Sequence, residues 1–147
     1  MTGGIYDNGS DKTGTTITDF LNAGATTTAG PVVQLPLGTV IDLGGGATAT
    51  CVVVNGDVIG AGAVPGALNN ENDRSLGLLI QMGNFDFLVA GDLGGGDDDG
   101  ACTGRSTSQV NVETTLAQAI MPGGANPLLS ADGVEFHHVN HHGSESS

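Results

Sequence analysis

The sequence has 147 residues, a length that suits one domain able to bury roughly two thirds of its surface on folding. Lys and Arg total 3 against 16 Asp and Glu, a formal charge of -13, which disfavours bulk nucleic-acid or anionic-membrane binding because both draw on basic side chains for affinity. Gly reaches 26 residues, yet 38% of the chain is hydrophobic and gathered in short Val, Leu and Ile runs, so the composition reads as folded rather than disordered.

No apolar run approaches the roughly 20 residues of a membrane span, and the opening MTGGIYDNGSDK has neither the basic nor the apolar region of a signal peptide, which leaves export open. The acidic, Lys-poor composition points toward an exported or cell-surface bacterial protein, or a salt-adapted one. TTITDFLNAG, 15 to 24, places Ile17, Phe20 and Leu21 at helical spacing, with a Thr cap before it and Gly24 after it, and predicts a short helix. From Gly38 the pattern changes to β-branched runs on either side of GGG, and a third run follows the hairpin signal Asn55-Gly56; the reading is a meander of antiparallel strands. Residues 60 to 74 form a polar connection without periodicity.

SLGLLIQMG and FDFLVAGD then predict two strands joined at Gly83-Asn84, the second so continuously apolar that burial on both faces is expected. QVNVETTLAQAI, 109 to 120, sets Val110, Leu116, Ala117 and Ile120 on a helical stripe. VEFHHVN, 134 to 140, is a last strand. Helices alternating with hairpins and buried strands give an α/β class, with helices layered on a mixed sheet. Cys51 and Cys102 lack any CxxC pairing; they form either one disulfide or two unrelated thiols, with Cys51 buried in ATCVVV.

Two strand ends carry ligand-type side chains: Asp92 after FDFLVAG, and His141-His142 after VEFHHVN. Rigid strands fix side chains at their tips while the following loops admit substrate, and a carboxylate with imidazoles suits zinc, manganese or iron. The competing reading is that Asp92 caps the next turn through backbone N–H groups, as aspartates commonly do.

NENDRSLGLLIQMGNFDFLVAGDLGGG, then NVETTLA, then VEFHHVNHHGSESS resembles the C-terminal half of a metallo-β-lactamase-fold hydrolase, in particular the ComEC-like and related phosphodiesterase branch. In that family a strand ending in GD supplies a metal-bridging aspartate and a later strand ending in HHGS supplies a histidine ligand. The resemblance spans about residues 69 to 147 and implies Asp92 and His142 as catalytic metal ligands, with His141 able to exchange roles with His142. It implies two divalent ions, zinc or else manganese or iron, a small phosphoester or ester substrate, and an αββα sandwich. Gly94, Gly95 and Gly96 would let the backbone turn away from the ions. The family's HxHxDH cluster has no counterpart here, since no histidine precedes His137, and the fold normally continues beyond HHGSESS. The expectation is therefore a single incomplete domain, lacking the N-terminal HxHxDH half and the C-terminal end, inactive alone and hydrolytic in its full-length parent.

Other residues are less telling. The acids Asp97, Asp98 and Asp99 fail a calcium EF-hand template, which needs acids where Gly95 and Ser106 stand, and read as a solvated loop. His137 and His138 point to opposite faces of a strand and cannot share one ion, so both read as structural. Glu113 matches a recurrent family position, or simply favours a helix dipole. No GxSxG elbow supports Ser144, Ser146 or Ser147 as a nucleophile. The alternative function is non-catalytic: an acidic, Gly-rich module that self-assembles through β edges of residues 38 to 60, where ATATCVVVNG carries no charge, or binds calcium at its surface.

Overall fold

The computed structural model describes residues 3–11, 13–66, 68–95, 109–138 and 140. The chain divides into two compact units, Met1–Leu35 and Pro36–Ser147. It is a mixed α/β protein with few helices and a mixed sheet.

The first unit is a small parallel pair, β1 (Tyr6–Asp7) and β2 (Val33–Gln34), joined by α1 (Thr15–Ala25). The predicted helix forms, but its expected punctuation does not. Its N-cap is Gly14, with no side-chain bond, in place of a threonine. Gly24 lies inside the helix, where its added Cβ would run into the Val32 side chain, and the last turn is closed by Thr26 N–H donating to the Ala23 carbonyl and Thr27 N–H donating to the Gly24 carbonyl. Phe20 and Leu21 are exposed, so the apolar stripe is largely unburied.

The second unit holds one sheet in the order β6 (Gly62–Ala63), β5 (Asp57–Val58), β4 (Ala47–Val54), β7 (Gly77–Met82), β8 (Phe85–Val89), β9 (Phe136–His137), with β3 (Val40–Gly44) also paired to β4. All of these pairs are antiparallel except β8 with β9. The predicted meander is present: Asn55 and Gly56 have φ of 50° and 80°, the positive pair that a tight β4 to β5 hairpin demands. The polar connection after it contains more order than its composition indicates, namely β6 and a 3-10 turn at Asn72–Arg74.

Burial differs from the expectation. The strand buried along its length is β4, where every residue from Ala49 to Val54 is buried; it is central, with β7 on one side and β3 and β5 on the other, and Val52 and Val53 pack in the cluster that includes α2. Strand β8 is only half-buried, with Phe85 exposed and Asp86 its most enclosed residue. Val52, Val53, Val58, Leu79, Ala90 and Leu93 form one core with Val112, Leu116 and Ile120 of α2 (Val112–Ile120). Each large apolar side chain removed from water in this way contributes about 1.5–3 kcal/mol. The α2 helix starts three residues later than the apolar pattern predicts, because Asn111 caps it by accepting Thr114 N–H at 3.0 Å. Ala117 of the predicted stripe is exposed and Ala119 takes the core position. Among the described residues no helix is long and apolar enough to cross a membrane.

Candidate functional site

Strands β8 and β9 run parallel with Leu88 opposite His137, so both leave the sheet at one edge. The chain after β8 is fixed there link by link. Ala90 is fully buried. Gly91 turns the backbone with φ of 59°, a left-handed conformation that glycine adopts without strain. Asp92 follows, half-buried in a turn, and its N–H donates to Ser75 Oγ at 3.1 Å. Ser75 directly follows the Asn72–Arg74 turn, so the segment entering β7 holds the segment leaving β8.

Leu93 is fully buried and anchors the next step into the core. The Gly94 carbonyl then accepts the N–H groups of Val112 at 3.0 Å and Glu113 at 3.3 Å, both in the first turn of α2. An added Cβ on Gly94 would run into the Gln109 side chain, so glycine is required here for close approach to that side chain. Gly96 lies outside the described residues.

At the end of β9, Asn140 is 2% exposed and its Nδ2 donates to Glu113 Oε1 at 2.6 Å, a short charge-assisted bond. Asn140 Oδ1 is buried without a partner. Beside this pair lies an apolar-walled cleft of about 310 Å³, bounded by Leu88, Leu116, Ile120, Met121, Glu113 and Asn140. A second, polar cleft of about 390 Å³ sits at the start of β8, where Glu135 Oε2 accepts Asp86 N–H at 2.7 Å and Asp86 Oδ1 accepts Gln81 Nε2 at 2.9 Å.

Asp73 supports the edge from below. It is fully buried, its Oδ1 accepts Val110 N–H at 3.1 Å, and its Oδ2 has no partner. Burial pushes its carboxyl above the ordinary carboxylate range, against the opposing pull of the Val110 and Asn70 amides and of the Arg74 charge. Arg74 itself donates to Asn55 Oδ1 at 2.8 Å and to the Leu68 carbonyl at 3.1 Å. Cys51 is a free thiol, fully buried in β4, and burial pushes its pKa up to about 11. Cys102 lies outside the described residues.

Of the expected site residues, Asp92 stands at the edge as described, whereas His141 and His142 lie outside the described residues, as do Asp97, Asp98 and Asp99. His137 and His138 are both exposed, and His137 borders the apolar cleft. Among the described residues no group of three or more His, Cys, Asp or Glu is arranged to hold a metal ion. A half-buried carboxylate at a strand end fits a divalent cation in donor chemistry, but it is one ligand where catalytic zinc takes three. Ser75, Asp73 and Asn140 escape the sequence reading. Their signals are faint: a serine and an aspartate in NDRS just before a strand, and an asparagine closing VEFHHVN. Comparison with known protein families, with characterised proteins and with solved structures yields no significant match.

Proposed function

We propose that this chain carries part of the active site of a metal-dependent hydrolase of the metallo-β-lactamase type, with the sheet and α2 forming part of an αββα sandwich. The observation that supports the reading is the parallel register of β8 and β9. Asp92 stands four residues beyond Leu88 (92 − 88), and His141 stands four beyond its register partner His137 (141 − 137), followed by His142. In sequence, the carboxylate of Asp92 and the imidazole of His141 thus lie at equal chain distance from paired residues on neighbouring strands, with His142 one residue further on.

Asp92 and His142, with His141 as neighbour, are the proposed ligands, and zinc, or else manganese or iron, is the proposed ion. Such ions, when bound, supply hydroxide near neutral pH and neutralise developing charge on a phosphodiester or ester. The chain's own contribution is rigidity: Ser75 fixes the Asp92 turn and Gly94 fastens the loop to α2. A charge of -13 favours a small substrate over a long nucleic acid. The test is metal content by plasma spectrometry and phosphodiester hydrolysis in the full-length protein. Stoichiometric zinc, with hydrolysis lost in Asp92→Ala and His142→Ala, is expected; absence of any stoichiometric metal would refute the reading.

A second reading, self-association through a β edge, is favoured by one observation and corrected by another. The uncharged ATATCVVVNG is not an edge, because β4 is paired on both sides. Within residues 38 to 60 the exposed apolar groups lie on β3, with Val40 60% and Leu43 54% exposed, and elsewhere in the sheet on Met82 of β7, Phe85 of β8 and Phe136 of β9. Concentration-dependent assembly on size-exclusion chromatography, abolished by Val40→Lys, is the outcome that would support it.

A further inference from the structure

We propose that Glu113 is a positioning residue that braces the two strand ends against each other through the first turn of α2. Its backbone N–H donates to the carbonyl of Gly94, two residues beyond Asp92, while its carboxylate accepts the side chain of Asn140, one residue before His141. One residue is therefore bonded to both segments that carry the proposed ligands. An acid that served only the helix dipole would keep its carboxylate in water. Here the carboxylate instead holds a carboxamide that is 2% exposed, at 2.6 Å. Among the described residues Asn140 Oδ1 is buried without a partner, and the bond to Glu113 is the one that holds its carboxamide.

The helix turn is itself made stiff from two sides. Asn111 caps it through Thr114 N–H, and Asp73 Oδ1 holds Val110 N–H just ahead of the cap. Buried Val112 and Leu116 pin the same turn to the core. A change at Asn140 is thereby transmitted to the Asp92 turn through Glu113 and Gly94, a path of two hydrogen bonds and no mobile side chain other than the pair itself. What the brace positions rests on the proposed metal site; the brace itself rests on the bonds just described.

The test uses the 147-residue chain and two NMR readouts. In the first, manganese(II) is titrated and paramagnetic broadening is followed at the amides of residues 92 and 140. In the wild type both amides broaden over one concentration range. Glu113→Ala and Asn140→Ala raise that concentration about tenfold, the size expected for loss of an outer-shell partner, while Glu113→Gln, which keeps the acceptor oxygen, stays within about threefold. Equal response of Glu113→Ala and wild type, or a Glu113→Gln variant as impaired as Glu113→Ala, overturns the proposal. In the second, amide exchange at Val112 and Glu113 accelerates about tenfold in Asn140→Ala while exchange in β4 and β7 is unchanged. If manganese leaves residues 92 and 140 sharp in the wild type, the metal reading fails and the brace is decided by exchange alone, unchanged rates at Val112 and Glu113 then overturning it.

Discussion

The centre of the sheet and its carboxyl edge differ in the polar groups that they enclose. In β4 and β7 the enclosed side chains are almost all apolar: Cys51, Val52, Val53 and Leu79 are all fully buried. At the edge, a few residues away, Ala90, Leu93 and Val112 are buried as well, but polar groups are enclosed with them: Asp73 is fully buried and Asn140 is 2% exposed, each with one buried oxygen that has no partner among the described residues. Burial of a polar oxygen without a hydrogen bond costs about 1–3 kcal/mol, whereas burial of a valine or leucine stabilises by a similar amount. The two enclosed oxygens therefore offset part of the stability that apolar burial contributes at the edge. Retention of polar groups where apolar ones would be more stable is the pattern of a functional site.

That contrast can be broken most forcefully by mutation. Leu79→Ala should lower unfolding stability by about 3 kcal/mol, since it empties a fully enclosed position. Asp92→Ala should lower it by less, because the position is half-buried and the bond to Ser75, made by the backbone N–H, survives the substitution. Urea midpoints of the two variants measure the difference, and equal losses would erase the distinction between centre and edge. Cys51 gives a chemical version of the same test. With its thiol buried and its pKa about 11, it should resist alkylation at about pH 8 in the folded protein and react once urea unfolds the chain.

A smaller effect is expected where the edge meets α2. Asn111→Ala removes the oxygen that caps the helix and should cost about 1 kcal/mol, read as a fall in melting temperature. The smallest and most specific effect belongs to Asp73. Its folded carboxyl titrates above the unfolded value, so the folded state binds this proton more tightly. Its stabilising contribution is complete below the unfolded pKa of about 3.9 and is lost as pH rises through the raised folded pKa. The melting temperature of Asp73→Asn minus that of the wild type should therefore increase over the interval that opens at about pH 4, as pH rises through the folded pKa. A difference constant over that interval would show that Asp73 does not titrate as an enclosed acid.

Much of the framework was legible in the chain. Helices near Thr15 and Val112 and the hairpins around Asn55-Gly56 and Gly83 follow from periodicity and turn chemistry, which are local, whereas of the strand expected over 134 to 140 only Phe136–His137 pairs. Pairing is not local. Nothing in FDFLVAGD reveals that β9 lies parallel beside it, or that β4 rather than β8 is the strand enclosed along its length, because burial depends on which neighbours cover an edge. Asp92 is expected at the tip of a strand, but β8 ends at Val89 and Asp92 sits three residues on in a turn, while His141 and His142 lie outside the described residues. Ser75, Asp73 and Asn140 were not legible, because each acts through a bond to a segment 17, 37 or 27 residues away. Glu113 shows the same limit: its place in the first helical turn is readable, but its partner is not.

The central claim is that one sheet edge gathers Asp92 and His142 around a cation. It is tested most directly by titrating zinc into the 147-residue chain and following, by NMR, the Asp92 amide together with the imidazole nitrogens of His141 and His142. The account predicts that the Asp92 amide and the His142 imidazole move on one common binding curve, and that Asp92→Ala shifts the imidazole curve to higher zinc concentration. Imidazoles that respond to zinc while the Asp92 amide stays still, with the same curve in Asp92→Ala, would contradict it.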